Sequence, residues 1–320
     1  MISNLEKGTV MSTKIAFVFP GQGSQSVGML AELGANHPIV IETFAQASEV
    51  LGYDLWQLVQ HDEEGQLNQT HITQPALLTA SVALWRLWLQ QGGLTPSIVA
   101  GHSLGEYSAL VCAGALDFAD AVRLVEARGQ FMQAAVPPGE GAMAAIIGMD
   151  NDVIVSVCEA SAQGQIVVPV NYNSPGQVVI AGAKSAVERA MVACKEAGAK
   201  RALPLPVSIP SHCALMLPAA DKLRTMLAGI QVRVPTIPVV QNVDAKVAGS
   251  ADAIVSNLVA HLIQPVLWSQ CVECITTDGA DLVVECGPGK VLNGLTKRIK
   301  KTLQTASIND AASLAATLEQ

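Results

Sequence analysis

A short apolar run, Ile98-Val99-Ala100, opens directly onto Gly101-His102-Ser103-Leu104-Gly105, and helical periodicity resumes at once over 104–113. A strand that is short and apolar at every position is covered on both faces. One that feeds a helix through a tight turn belongs to a parallel sheet with helices packed against it. The run Ile15–Phe19, ended by Pro20-Gly21, repeats the pattern, as do short strands over 237–240 and 282–285. Helical periodicity fills much of the intervening sequence, over 39–51, 77–89, 118–135, 214–227, 253–263 and 269–277. The chain is 50% hydrophobic and only 4% aromatic, so the layers of this α/β fold must approach through small side chains.

The middle of the chain has another rhythm. Strands over 142–149, 166–171, 177–181 and 201–207 alternate with helices over 152–162 and 185–197 in the order β-α-β-β-α-β, the ferredoxin-like arrangement. Asn173-Ser174-Pro175-Gly176 reads as the turn between the two central strands. Pro137-Pro138-Gly139 and Ser208-Ile209-Pro210 bracket the segment. The expectation is a small ferredoxin-like unit, 137–208, inserted into a larger α/β unit made of 13–136 and 209–320, with residues 1–12 a disordered extension.

A net charge of −8 gives no footprint for nucleic acid. Two local basic clusters stand out, Lys200-Arg201 and Lys297, Arg298, Lys300 and Lys301. They either dock an acidic or phosphorylated partner or are ordinary solvated charge. Seven scattered cysteines suggest reduced thiols in a cytoplasmic protein. Cys271 and Cys274 form a lone C-x-x-C on a helical stretch, which reads more simply as buried small side chains than as a zinc or redox site. No apolar run reaches the ~18 residues of a membrane span, and the first ten residues have no signal-peptide core.

Gly101-His102-Ser103-Leu104-Gly105 is a G-x-S-x-G between strand and helix, the context of a nucleophile elbow. The sharp turn pushes the Ser103 side chain out of the backbone, and the helix start supplies unpaired N–H groups beside it. The Leu104 N–H is placed to form half an oxyanion hole. The plainer alternative is a serine that merely caps the helix. Among six histidines, His102 is a poor base, because consecutive residues at a strand end point oppositely. His37, His61 and His71 lie in polar surroundings. His212 stands where the chain returns from the inserted unit, either facing a cleft or capping a helix. Asp221 and Asp244 are available as a third member but carry no motif; a backbone carbonyl can hold the imidazole tautomer instead.

Further motifs occur in order: Ile15 to Gln25 with Pro20-Gly21-Gln22-Gly23, Glu106-Tyr107, Glu126-Ala127-Arg128-Gly129, Asn173 to Gln177, Pro210-Ser211-His212 and Glu285-Cys286-Gly287-Pro288-Gly289. With the elbow they resemble the malonyl-CoA:acyl carrier protein transacylase family of bacterial fatty acid synthesis, from Lys14 to near the end of the chain. The resemblance implies an α/β-hydrolase-like core with a ferredoxin-like insert. It implies Ser103 as nucleophile, His212 as base, the Gln22 and Leu104 N–H groups as oxyanion hole, and Arg128 as a bidentate clamp on the malonyl carboxylate. Taken alone, Arg128 reads as a solvated helix arginine. The resemblance further implies that His261 orients His212 through its carbonyl, at a place where the family commonly has glutamine. Coenzyme A thioester and acyl carrier protein are the implied partners, with no metal or redox cofactor and a monomeric enzyme. Leu104 and Ser211 fit the malonyl rather than the methylmalonyl type. A serine hydrolase with water as acceptor shares the same machinery, and a catalytically silent carrier-protein-binding module shares the fold.

Overall fold

The computed structural model describes residues 13–207 and 209–320, so the expected extension 1–12 lies outside the described residues. Nine strands occur among them: β1 Ile15–Phe19, β2 Ile98–Gly101, β3 Gly141–Ile147, β4 Val167–Ser174, β5 Gln177–Ala183, β6 Arg201–Pro204, β7 Val239–Val240, β8 Leu282–Cys286 and β9 Gln304–Ile308. They form two sheets. The larger has the order β7-β2-β1-β8-β9, and every neighbouring pair in it is parallel.

Side-chain alternation divides this sheet between two cores. Ile15, Phe17 and Phe19, with Val99, Val239, Leu282, Val284 and Cys286, face the larger core. That core is completed by the helices Pro38–Leu51, Thr70–Gln90, Gly105–Cys112, Phe118–Ala135 and Leu217–Leu227. Ala16, Val18, Ile98, Ala100, Val240 and Val283 face the opposite way, against Trp268–Thr277 and Val291–Ile299. Burial on both faces accounts for strands without polar alternation. Burying one Phe or Leu side chain stabilises by roughly 1.5–3 kcal/mol.

The second sheet is antiparallel, in the order β4-β5-β3-β6. One face packs on the helices Asn151–Ala162 and Lys184–Glu196. On the other, Met143, Val170, Val179 and Ala181 cover Cys213, the residue after His212. β4 is also tied to the larger layer: the Tyr172 N–H donates to the Val266 carbonyl, and the Val266 N–H to that of Val170, both at 2.9 Å. This sheet therefore forms a roof whose position over the His212 segment is fixed by packing and by hydrogen bonds.

Several boundaries differ from expectation. Asn173 and Ser174 still belong to β4, so the turn narrows to Pro175-Gly176. β6 stops at Pro204, and β7 is only two residues long. The stretch 214–227 begins with a 3-10 turn, Ala214–Met216, before the helix Leu217–Leu227, because Pro218 has no N–H to donate and sits where the first turn leaves donors free. β9 and the helix Ala311–Leu318 were not expected.

Candidate active site

The elbow is assembled by close approach. A Cβ on Gly101 would lie 1.9 Å from the Gly105 carbonyl carbon, and one on Gly105 would lie 2.1 Å from the Phe19 carbonyl oxygen. Both glycines are required by contact with backbone; the left-handed residue is Ser103 itself, at φ 51°. His212 is left-handed as well, at φ 64°. Such a conformation costs a non-glycine residue roughly 1–3 kcal/mol. The two strained residues are partners in one hydrogen bond, Ser103 Oγ to His212 Nε2 at 2.8 Å.

The proton positions follow from the partners. His212 Nδ1 lies 2.6 Å from the His261 carbonyl, which can only accept, so Nδ1 carries the hydrogen. Nε2 is then the acceptor, and the Ser103 hydroxyl donates to it. Burial, and next the charge of Arg128, push the His212 pKa down to about 3, with the His261 carbonyl opposing. The imidazole is therefore neutral at pH 7. No aspartate completes a triad: Asp221 pairs with Arg224 at 2.6 Å, and Asp244 accepts from the Lys246 N–H at 3.1 Å.

Two main-chain donors remain open beside the serine. Neither the Leu104 N–H nor that of Gln22 has a partner among the described residues. Gly21 brings the Gln22 loop against the elbow, since a Cβ there would lie 2.5 Å from the His102 carbonyl oxygen. The Gln22 side chain reaches Thr70 Oγ1 at 3.3 Å, which holds the loop from its other side.

Arg128 is 2% exposed and not a solvated helix residue. Gly129 lets its helix close on Thr70–Gln90, where a Cβ would lie 2.5 Å from the His71 Cα. That contact brings Arg128 Nη1 within 2.8 Å of Gln74 Oε1. The guanidinium lies over the Tyr107 ring, 5.4 Å from its centre. Its Nε and Nη2 are buried and have no partner among the described residues. A buried cation with two unused donors in a planar fork has the chemistry to receive a carboxylate.

His102 turns away from Ser103, as its place at the strand end requires. Its Nε2 bonds Asn173 Oδ1 at 2.8 Å, and its ring meets Trp268 edge-on. His261 has a second part beyond its carbonyl. Its ring lies 4.8 Å from that of His212, and its Nδ1 is 4.0 Å from Glu106 Oε2. Neither ring nitrogen has a hydrogen-bond partner among the described residues, and burial holds the ring neutral. Burial also raises the Glu106 carboxyl to about 7 against the hydrogen bonds it accepts from Asn242 and Gln241. Sequence reasoning missed Gln74, Glu106 and Asn242; only Glu106 had a signal, its place directly after the elbow motif. Cys271 is buried, its thiol 3.6 Å from the Gln241 carbonyl, and no group of three metal-ligating side chains stands together among the described residues.

The chain is similar to known proteins over nearly its whole length. Residues 16–319 match the acyl transferase domain family. The malonyl CoA-acyl carrier protein transacylase of Salmonella typhimurium is 65% identical over 308 residues, covering 96% of this chain and 100% of the relative. Among solved structures, a malonyl-transacylase in complex with a type II PKS acyl-carrier protein superposes with a TM-score of 0.95 at 62% identity, over 96% of this chain and 99% of the other. An acyl carrier protein S-malonyltransferase from Vibrio cholerae does so with a TM-score of 0.92 at 61% identity, over 95% and 99%. The chain belongs to the acyl transferase domain family and, within it, to the malonyl CoA-acyl carrier protein transacylases.

Proposed function

We propose that this protein transfers the malonyl group of malonyl-CoA to the phosphopantetheine thiol of acyl carrier protein through an ester on Ser103, serving fatty acid synthesis in the cytoplasm as a monomer. The observation that carries the reading is the half-paired Arg128 guanidinium buried in the same site as a serine–histidine pair.

His212 Nε2 takes the Ser103 hydroxyl proton as Oγ attacks the thioester carbonyl. The resulting oxyanion is stabilised by the Gln22 and Leu104 N–H groups. Collapse breaks the C–S bond, and the imidazolium returns its proton to the leaving coenzyme A thiolate. The carrier thiol then gives its proton to His212 and attacks the malonyl-serine ester, and the serine oxygen leaves with that proton. Both half-reactions move only protons and one acyl group, so no resident metal or cofactor is required. Kinetics of this form are ping-pong. General-base help is worth about 10²–10⁴-fold.

On this reading the antiparallel sheet belongs to a ferredoxin-like insert, 137–208, set in an α/β-hydrolase-like unit, 13–136 and 209–320; its four strands in the order β4-β5-β3-β6 support it. The insert carries a docking surface. Ile147 pairs with both Gln177 and Arg201, and Arg298 donates to the Gln177 side chain. Lys200 packs beside Gly148. The two basic clusters thus meet at the end of β4 that presents Asn173 to His102. An acidic carrier protein or coenzyme A phosphates suit such a patch.

The direct test is the intact mass of the protein after mixing with malonyl-CoA. A malonyl adduct should form on the wild type, be absent from Ser103→Ala, and discharge when carrier protein is added. An adduct that hydrolyses at once and ignores carrier protein points to a hydrolase. None at all on a folded protein points to a silent binding module.

A further inference from the structure

The Asn242 side chain sits beneath the elbow, fully buried, and uses every polar group it has. Its Oδ1 accepts from the Ser103 N–H at 2.8 Å, and its Nδ2 donates to the Gly101 carbonyl at 2.7 Å. Its own N–H donates to Glu106 Oε2 at 2.7 Å, and its carbonyl accepts from the Leu267 N–H at 2.9 Å. Two of these bonds grip the turn on either side of His102. The other two fix Asn242 to the helix behind the serine and to the start of Trp268–Thr277.

From this arrangement we propose that Asn242 is a positioning residue that holds the left-handed turn of Ser103 in its reactive geometry and keeps the Ser103 N–H out of the oxyanion hole. The inference rests on Ser103 being the nucleophile. Ser103 sits in a conformation unfavourable for any residue but glycine, and it persists only where the surroundings over-determine it. Among the described residues no backbone group takes the Ser103 N–H; the amide of Asn242 is the partner that does. With that N–H occupied, the oxyanion is left to Leu104 and Gln22. An amide is the side chain that fits: one oxygen for the N–H, one nitrogen for the carbonyl. A carboxylate would repel the Gly101 carbonyl, and an apolar side chain would leave both backbone groups buried and unpaired.

The test compares Asn242→Ala and Asn242→Asp with Asn257→Ala. Asn257 Nδ2 donates to Gln241 Oε1 at 2.8 Å, so it belongs to the same network without touching the elbow. Two readouts are followed beside the melting temperature: the single-turnover rate of malonyl-serine formation at saturating malonyl-CoA, and labelling by a fluorophosphonate probe, which needs only a reactive serine. Misplacing a reacting group by about 1 Å costs on the order of 10²-fold. Both rates should fall by about that factor in Asn242→Ala, with KM for malonyl-CoA little changed, and by a smaller factor in Asn242→Asp. Asn257→Ala should lower the melting temperature and leave both rates near wild type. Asn242 variants that fold and react within about twofold of wild type, or that lose activity only as far as Asn257→Ala does for an equal loss of stability, overturn the proposal. If Asn242→Ala does not fold, Asn242→Asp decides alone by the same criterion. A wild type that reacts with the probe but takes no malonyl group overturns the substrate reading and leaves this one standing.

Discussion

Replacing Arg128 by methionine separates carboxylate recognition from general catalysis. The guanidinium offers two unused donors, Nε and Nη2, in a buried site. A malonyl carboxylate filling both gains two charge-assisted hydrogen bonds, each worth about 1.5–3 kcal/mol net. Their loss is roughly 3–6 kcal/mol, or about 10²–10⁴-fold in kcat/KM for malonyl-CoA. Acetyl-CoA has no carboxylate and should be transferred by Arg128→Met at a rate equal to or above that of the wild type. The assay is acylation of Ser103 by each thioester, followed by intact mass. Stability gives a second reading. Replacing a buried, incompletely paired ion by an apolar side chain of similar size is neutral or stabilising by about 1–4 kcal/mol. The single variant strands Gln74 Oε1, at a cost of about 1–3 kcal/mol, so the two effects nearly cancel. Adding Gln74→Met removes that penalty, and the double variant should melt above the wild type. Equal loss of malonyl and acetyl transfer in Arg128→Met would refute the clamp and make Arg128 a structural residue.

The acid side of the stability curve should be steep. Buried His212 and His261 resist protonation in the fold, so the unfolded chain binds more protons below pH 6.5 and stability falls with pH, at roughly 1 kcal/mol per unit for each. Glu106, raised to about 7, has the opposite slope between about 4.5 and 7; His261→Gln should therefore show a visibly shallower acid loss in melting temperatures measured from pH 7 to 5. Gly105→Ala drives a methyl into the Phe19 carbonyl and should abolish soluble, active protein, whereas Gly294→Ala, where a Cβ meets nothing, should express normally. Reversing Arg298 or Arg201 to glutamate should raise KM for carrier protein several-fold and flatten its salt dependence, with malonyl-serine formation unchanged.

What the sequence made legible was local or carried by motif. Ser103 stands on a strand–turn–helix announced by five consecutive residues, Gly101 to Gly105. The β-α-β-β-α-β order of the middle segment follows from hydrophobic period together with turn composition at 173–176. Long-range partners left no such trace. Asn242 meets Ser103 across 139 positions, and nothing in Val240-Gln241-Asn242-Val243 announces a hydrogen bond to an elbow. Arg128 read as solvated because its helix neighbours are mixed; its burial arises from Gly129 and the packing of Thr70–Gln90, which one helix cannot reveal. β9 was invisible because Gln304-Thr305-Ala306-Ser307-Ile308 is an edge strand exposed or half-exposed until Ile308. His261 carries its part through a carbonyl that any residue supplies, so its side-chain identity says little about that part.

Acceptor choice follows from the same burial that shifts these groups. His212 is 3% exposed, and its acceptor nitrogen is already occupied by the Ser103 hydroxyl. Once Ser103 is acylated as proposed, that nitrogen is free, and whichever nucleophile reaches it first decides between transfer and hydrolysis. A water beside His212 must find polar partners, and the Ser103 and Asn242 groups nearby are already bonded to one another. On the proposed mechanism a malonyl carboxylate on Arg128 removes two further donors that a water would use. A thiol on a long flexible arm reaches the nitrogen without such partners, since a thiol is a weak donor and needs no network. The malonyl-enzyme should therefore persist in buffer for many turnovers' worth of time and discharge rapidly on adding pantetheine-bearing carrier protein, as quenched-flow mass measurement reads directly. Hydrolysis in buffer as fast as transfer would mean that water has a seat beside His212 and that burial does not choose the acceptor.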